Sequence, residues 1–110
     1  MIRAEFFYKK GTPLRFTVSG HAGYAENGKD IVCASVSSAV QMAINGITEI
    51  VKTNCSVNVG RDGYIECVLP PEPRPAAIHF VSALRLQLKL LSEDFPGTIN
   101  LIITEVSYHA

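Results

Sequence analysis

Residues 2–19 read IRAEFFYKKGTPLRFTVS, and this stretch decides the fold class of the chain. Apolar residues alternate with polar ones on both sides of residues 10–13, which is the spacing of strands that bury one face. Lys10-Gly11-Thr12-Pro13 between them is typical of a turn. The stretch therefore predicts a β-hairpin at the start of the chain.

Two amphipathic helices are predicted after the hairpin. Apolar residues follow helical spacing from about residue 31 to about residue 52, and Asp30 in front of them is a good N-cap. The same spacing returns over residues 77–91, and Pro96 stops this second helix.

Three further strands complete the predicted fold. Cys55, Val57 and Val59 alternate with polar residues, residues 64–69 alternate in the same way, and residues 99–106 are rich in β-branched side chains. The order β-β-α-β-β-α-β predicts one α+β domain over residues 1–110. Its simplest packing is a single sheet with two helices on one face.

The composition excludes several classes of protein. Of 110 residues, 47% are hydrophobic and 18% are charged, which argues against a disordered chain. Lys plus Arg equals Asp plus Glu at 10 each, and a neutral balance argues against direct nucleic-acid binding. The longest unbroken apolar run, from Ile31 to Ala34, is too short to span a bilayer, so we expect no membrane association.

The first residues predict a cytoplasmic location. Glu5 interrupts the region that would be apolar in a signal peptide. Without export, the chain would stay in a reducing compartment, and its three cysteines would be free thiols.

A histidine and a cysteine flank the glycine-containing loop between the hairpin and the first helix. Gly20-His21-Ala22-Gly23 ends the second strand, and Asp30-Ile31-Val32-Cys33 begins the predicted helix. Unpaired N–H groups in a first helical turn favour a thiolate and could hold an oxyanion. A nearby imidazole could pair with the thiolate and later protonate a leaving amine. The pattern therefore fits a Cys33–His21 catalytic pair.

Plainer interpretations of both residues remain open at this point. A cysteine in a buried helix is usually a small hydrophobic residue, and a histidine at a strand end is usually solvated. Spacing alone does not separate these interpretations from catalysis.

Other residues around the pair have two interpretations each. Asp30 is interpreted either as an N-cap alone or as an N-cap that also orients His21. Ser37 lies one turn after Cys33, and its hydroxyl either contacts the site or donates to a backbone carbonyl. Gly23 and Gly28 predict a mobile loop. Glu26 or Asn27 in that loop could be the third member of a catalytic triad with Cys33 and His21. The simpler interpretation is that both are solvated loop residues.

Zinc binding is the next alternative. Cys55, Cys67 and His79, with His21 and Cys33, are five potential ligands. The short ligand spacings of zinc sites are missing, and Cys55 and Cys67 are in phase with apolar residues of their strands. We therefore expect core cysteines, and neither a metal nor another cofactor.

Two surface features suggest partners. Lys9, Lys10 and Arg15 meet at one end of the hairpin, as a solvated tip or as a contact for a ribosome or another anionic partner. Leu86 and Leu90 lie off the apolar stripe of the second helix and could form a homodimer seam.

The residues at the loop resemble a known family. Gly20-His21-Ala22, the loop, and Asp30-Ile31-Val32-Cys33-Ala34 with Ser37 look like the signature of the ribosomal-processing cysteine proteases. The resemblance implies His21 and Cys33 as the catalytic pair, with Asp30 and Ser37 as supporting positions. It also implies a compact α/β sandwich, usually a homodimer, with a mobile loop that closes over the substrate.

The resemblance implies a substrate as well. Members of that family remove an N-terminal extension from ribosomal protein number twenty-seven of the large subunit, cutting after two phenylalanines and before a small residue. An apolar cleft beside Cys33 would follow. The competing interpretation is a ribosome-associated binding module with a degenerate or structural Cys–His pair.

Overall fold

The architecture is given by a computed structural model, which describes residues 1–21 and 26–107, and residues 26–30 in their backbone alone. Its elements are β1 (Ile2–Lys9), β2 (Thr12–Ser19), α1 (Glu26–Asn45), a π-helical turn (Gly46–Ile50), β3 (Ser56–Val59), β4 (Ile65–Val68), α2 (Pro75–Asp94) and β5 (Ile99–Glu105). The predicted order β-β-α-β-β-α-β is confirmed.

The five strands form one mixed sheet in the order β3-β4-β2-β1-β5. β1 and β2 are the predicted hairpin, and β4 pairs antiparallel with both β2 and β3. β5 returns parallel to β1 after α2, so the first and last strands of the chain lie side by side.

The core lies between one face of the sheet and the two helices. Phe6 and Phe16 pair across the hairpin with stacked rings 5.5 Å apart, and both are fully buried. Burial of one such side chain contributes roughly 1.5–3 kcal/mol to folding. The helices complete the core with Val32, Val36, Val40, Ala43, Ile47, Ala77, Val81, Leu84 and Leu88.

The first helix begins earlier than the sequence pattern predicts. α1 starts at Glu26, so Gly28 and Asp30 lie inside the helix, and the predicted N-cap role of Asp30 is wrong. A glycine in a helix costs only about 1 kcal/mol, which the packing of the rest of α1 can offset. The prediction gave the glycine and the capping residue type too much weight.

The end of this helical segment lies close to the predicted residue 52. After Asn45 the chain continues as the π-helical turn Gly46–Ile50. A Cβ at Gly46 would overlap the ring of Phe80 from α2, so glycine allows the two helical segments to approach here.

α2 agrees with its prediction at both ends. Pro75 occupies the first turn, where a missing N–H costs nothing, and the helix ends before Phe95 and Pro96.

The apolar residues that alternate in β3 are not buried. Val57 and Val59 are 38% and 77% exposed. They alternate with polar residues as a half-buried strand does, but β3 lies at the edge of the sheet. Cys67 on β4 is buried as predicted, and Cys55 is half-buried.

The segment Ile31–Ile50 is long and apolar enough to cross a membrane, with a mean hydropathy of 1.4. Its most apolar row, including Val32, Val36 and Val40, is buried against the sheet. The core of the fold therefore accounts for this hydropathy.

Candidate active site

His21 directly follows the end of β2. Gly20 before it has a φ of 89°, and a Cβ there would lie 2.6 Å from the carbonyl oxygen of Met1. Only glycine fits this conformation and this close approach. The backbone therefore fixes the point at which His21 leaves the sheet, and its side chain is exposed.

The turn between β3 and β4 is tied to the same point. The Gly20 N–H donates a hydrogen bond of 2.8 Å to the carbonyl oxygen of Asp62. Asp62 and Gly63 have positive φ values of 55° and 69°. This contact joins distant parts of the chain, so no local sequence pattern predicts the position of the turn beside His21.

Cys33 is the eighth residue of α1 rather than a residue of its first turn. Beyond the first four residues of a helix, N–H groups are bonded within the helix, and the effect of the dipole fades. The start of α1 lies about 10 Å along the helix from Cys33. Two predictions are therefore wrong for this structure. Free N–H groups of the first turn do not activate Cys33, and they do not form an oxyanion site beside it.

Cys33 nevertheless lies at the border between the core and the surface. Its side chain is half-buried and packs against the core, and Ser37, one turn further on, is exposed. The two residues share one flank of α1. Within the described parts of the chain, no hydrogen bond joins Cys33 to His21 or to Ser37.

The remaining candidates near the loop are placed only in part. Asp30 lies one turn before Cys33 in α1, and Glu26, Asn27 and Gly28 are helical in their backbone, so the predicted loop is shorter at this end. Gly23 lies outside the described residues.

The other two cysteines form a close pair away from His21. The sulfur atoms of Cys55 and Cys67 are 3.7 Å apart. Burial, with a smaller contribution from Cys55, raises the pKa of the Cys67 thiol to about 12. His79 is exposed on α2. Among the residues that the structure describes, no three His, Cys, Asp or Glu side chains are grouped as a metal site would need.

One of the three basic residues of the hairpin tip, Arg15, forms an ion pair with a carboxylate. Arg15 bonds Glu66 at 2.8 Å and lies 3.8 Å over the ring of Phe7. The backbone N–H of Lys10 donates to a carboxylate oxygen of Glu105 at 2.6 Å. Because its guanidinium is already paired, Arg15 is less available to an anionic partner.

A groove of about 650 Å³ lies beside this tip, between Phe7, Arg15, Val68 and Thr104. Arg15 is five residues before Gly20 on β2, or roughly 16 Å along the strand. The groove is therefore remote from His21.

Comparison with known proteins shows which protein family the chain belongs to. The model of the family described as cysteine protease Prp matches residues 1–100. The chain belongs to this family. The ribosomal processing cysteine protease Prp of Bacillus subtilis is 31% identical over 91 residues, covering 78% of this chain and 81% of the relative.

Solved structures share the whole fold. SMU.848 from Streptococcus mutans is 27% identical, with a TM-score of 0.86 over 96% of each chain. The ribosomal processing protease Prp from S. aureus, in complex with a covalently linked product peptide, has a TM-score of 0.86 at 22% identity. That match covers 94% of this chain and 100% of that one.

The protein is therefore a cysteine protease of the Prp family, and the resemblance read from residues 20–37 is confirmed. Membership favours the enzyme over the binding module with a degenerate pair. It leaves the question of which residues of this chain perform the chemistry.

Proposed function

We propose that this Prp protease removes the N-terminal extension of large-subunit ribosomal protein number twenty-seven in the cytoplasm, with Cys33 as nucleophile and His21 as acid and base. The observation that carries the assignment is the position of Cys33. It is the one cysteine on the helix that follows His21, and it borders the surface.

The other cysteines are poor nucleophiles by comparison. Cys67 is fully buried, and its raised pKa keeps it a neutral thiol near pH 7. Because the thiolate is the attacking form, Cys67 is unsuited to the role. The sulfur of Cys55 lies 3.7 Å from that of Cys67, on the strand side of the fold.

The reaction follows the general course of thiol proteases. The Cys33 sulfur, deprotonated by the imidazole of His21, attacks the scissile carbonyl carbon and forms a tetrahedral oxyanion. The C–N bond then breaks, and the imidazolium gives its proton to the leaving amine. A water molecule, deprotonated by the same imidazole, hydrolyses the thioester and restores the thiol.

The hydrogen bond between His21 and Cys33 forms in the complex with substrate, because catalytic hydrogen bonds are often long or absent in the free enzyme. Asp30 and Ser37 support the site from the turns before and after Cys33. The chain acts as a homodimer.

Cleavage of a peptide that copies the precursor's extension tests this function. The wild type is expected to cut after the two phenylalanines, and Cys33→Ala to lose at least roughly 10³-fold in kcat/KM. Cys55→Ala is the matched control, since it removes a half-buried cysteine outside the site, and it is expected to keep wild-type activity.

Cleavage by folded Cys33→Ala at the wild-type rate would overturn the assignment of the nucleophile. Absence of cleavage by the folded wild type, with the peptide of the same organism, would overturn the proposed substrate.

A further inference from the structure

The edge strand β3 presents two valines on the face of the sheet that carries the helices. Val57 lies opposite Cys67 on β4, and Cys67 lies opposite the buried Phe16 on β2. Directly opposed residues of neighbouring strands point to the same face of a sheet. Val57 and, two residues on, Val59 therefore face the same side as the core, yet both are exposed.

The position of the helices explains this exposure. α2 packs near the far edge of the sheet, where Arg85 lies over the ring of Tyr8 and borders a groove with Leu101 of β5. α1 connects β2 to β3, and β4 lies between those two strands in the sheet. Because a crossover helix packs back onto the sheet between the strands that it joins, α1 lies over β4, beside α2. β3 is the edge strand beyond α1, and its two valines are exposed.

The flank of α1 that carries Cys33 faces this uncovered strand. Ser35 and Ala39 border a groove with Ala83 of α2, so their flank faces α2. Ser37 is two residues from both Ser35 and Ala39, which is a rotation of about 200° around the helix axis, so it lies on the opposite flank. Cys33, one turn before Ser37, therefore lies on the side away from α2 and toward β4 and β3.

The same surface reaches His21. The turn between β3 and β4 follows Val59, and its Asp62 carbonyl accepts the hydrogen bond from the Gly20 N–H. Val57 and Val59 thus lie on the side of the sheet toward which the Cys33 flank of α1 faces, and β3 leads into the turn that is bonded to Gly20.

We propose that Val57 and Val59 form an apolar shelf that binds side chains of the peptide substrate next to the scissile bond. The proposal rests on the proposed function, which gives the occupant as an extended peptide with aromatic residues. Alternate side chains of an extended peptide lie on one side at the spacing of Val57 and Val59. One phenylalanine of the pair would contact the shelf, and the next would point away from it.

The shelf makes a prediction about specificity. The double variant Val57→Ser, Val59→Ser is expected to raise KM for the precursor peptide about tenfold, with kcat changed less than about twofold, because it removes contacts of a hydrophobic pocket. Each phenylalanine of the pair is replaced by alanine in turn. The peptide that lacks the phenylalanine contacting the shelf should be cleaved with the same kcat/KM by the wild type and by the double variant.

Ile50→Ser is the matched control. Ile50 is 76% exposed, close to the 77% of Val59, and lies at the end of the π-helical turn. It is expected to keep the wild-type KM. Thermal unfolding of all variants confirms that each is folded.

Binding separates this proposal from the proposed function. Fluorescence anisotropy of the labelled peptide is measured with Cys33→Ala alone and with the two valine substitutions added. Weaker binding on loss of the valines supports the shelf even where no cleavage is found. An unchanged KM and unchanged binding in the double variant would overturn the shelf while leaving the cleavage activity standing.

Sedimentation of the double variant excludes the other occupant, a second copy of this chain. If the valine substitutions convert a dimer into a monomer, the surface is a subunit interface, and the shelf is wrong. An unchanged sedimentation coefficient together with the raised KM is the expected result.

Discussion

The three cysteines of this protein differ in how deeply their side chains are buried. Cys33 borders the surface, Cys55 is half-buried beside Cys67, and Cys67 is fully buried. In the sequence, the position of Cys33 after His21 and the glycine-containing loop made it the candidate nucleophile. The alternation in its strand predicted the burial of Cys67, but the contact between Cys67 and Cys55 joins two strands and is seen only in the structure.

The buried Cys67 predicts a pH dependence of stability. Its pKa is about 12 in the folded protein, against 9.0 for a thiol in an unfolded chain. Between these pH values the unfolded chain has released a proton that the folded chain still holds. The free energy of unfolding therefore falls as pH rises from about 9 to about 12.

Urea unfolding across this range measures the effect. Tyrosine and lysine also titrate there, so the comparison is with Cys67→Ala, which is less stable but should lose stability less steeply with rising pH. Cys55→Ala is expected to keep most of the slope, because burial is the larger cause of the shift. Equal slopes in wild type and Cys67→Ala would contradict the raised pKa.

At the scale of elements, the ends and faces of α1 show what the pattern could and could not predict. The apolar row Val32, Val36 and Val40 was predicted and is buried, because helical spacing is a local property. The start at Glu26 was missed, because packing in the helix outweighs the preference of Gly28 for loops. With that start, the chemistry assigned to a first-turn cysteine no longer applies.

The outer face of α2 carries the prediction of a dimer. Leu86 and Leu90 are 54% and 45% exposed, and Leu86 borders a groove with Ile103 of the edge strand β5. Apolar side chains grouped on a surface favour association. We expect the wild type to sediment at micromolar concentration with twice the mass of one chain.

Leu86→Lys is expected to sediment as a monomer, because a charge would have to be buried in the seam. Met42→Lys, at an exposed position on α1, is the control and should stay dimeric. A wild-type monomer, or a dimer unaffected by Leu86→Lys, would count against this seam.

For the whole molecule, the sequence predicted the element order and the helix-covered face, because both follow from residues close in the chain. It did not predict that β3 lies at the edge or that the turn after β3 meets Gly20. Strand order is set by contacts between distant segments. The proposed shelf of Val57 and Val59 rests on these two missed features.

Covalent trapping tests the central assignment most directly. A peptide chloromethyl ketone ending in two phenylalanines is incubated with the wild type, with Cys33→Ala and with Cys55→Ala, and the modified residue is mapped by mass spectrometry. One adduct, on Cys33, is expected in the wild type and in Cys55→Ala, and none in Cys33→Ala. An adduct on Cys55 in the folded wild type, with Cys33 unmodified, would contradict the assignment.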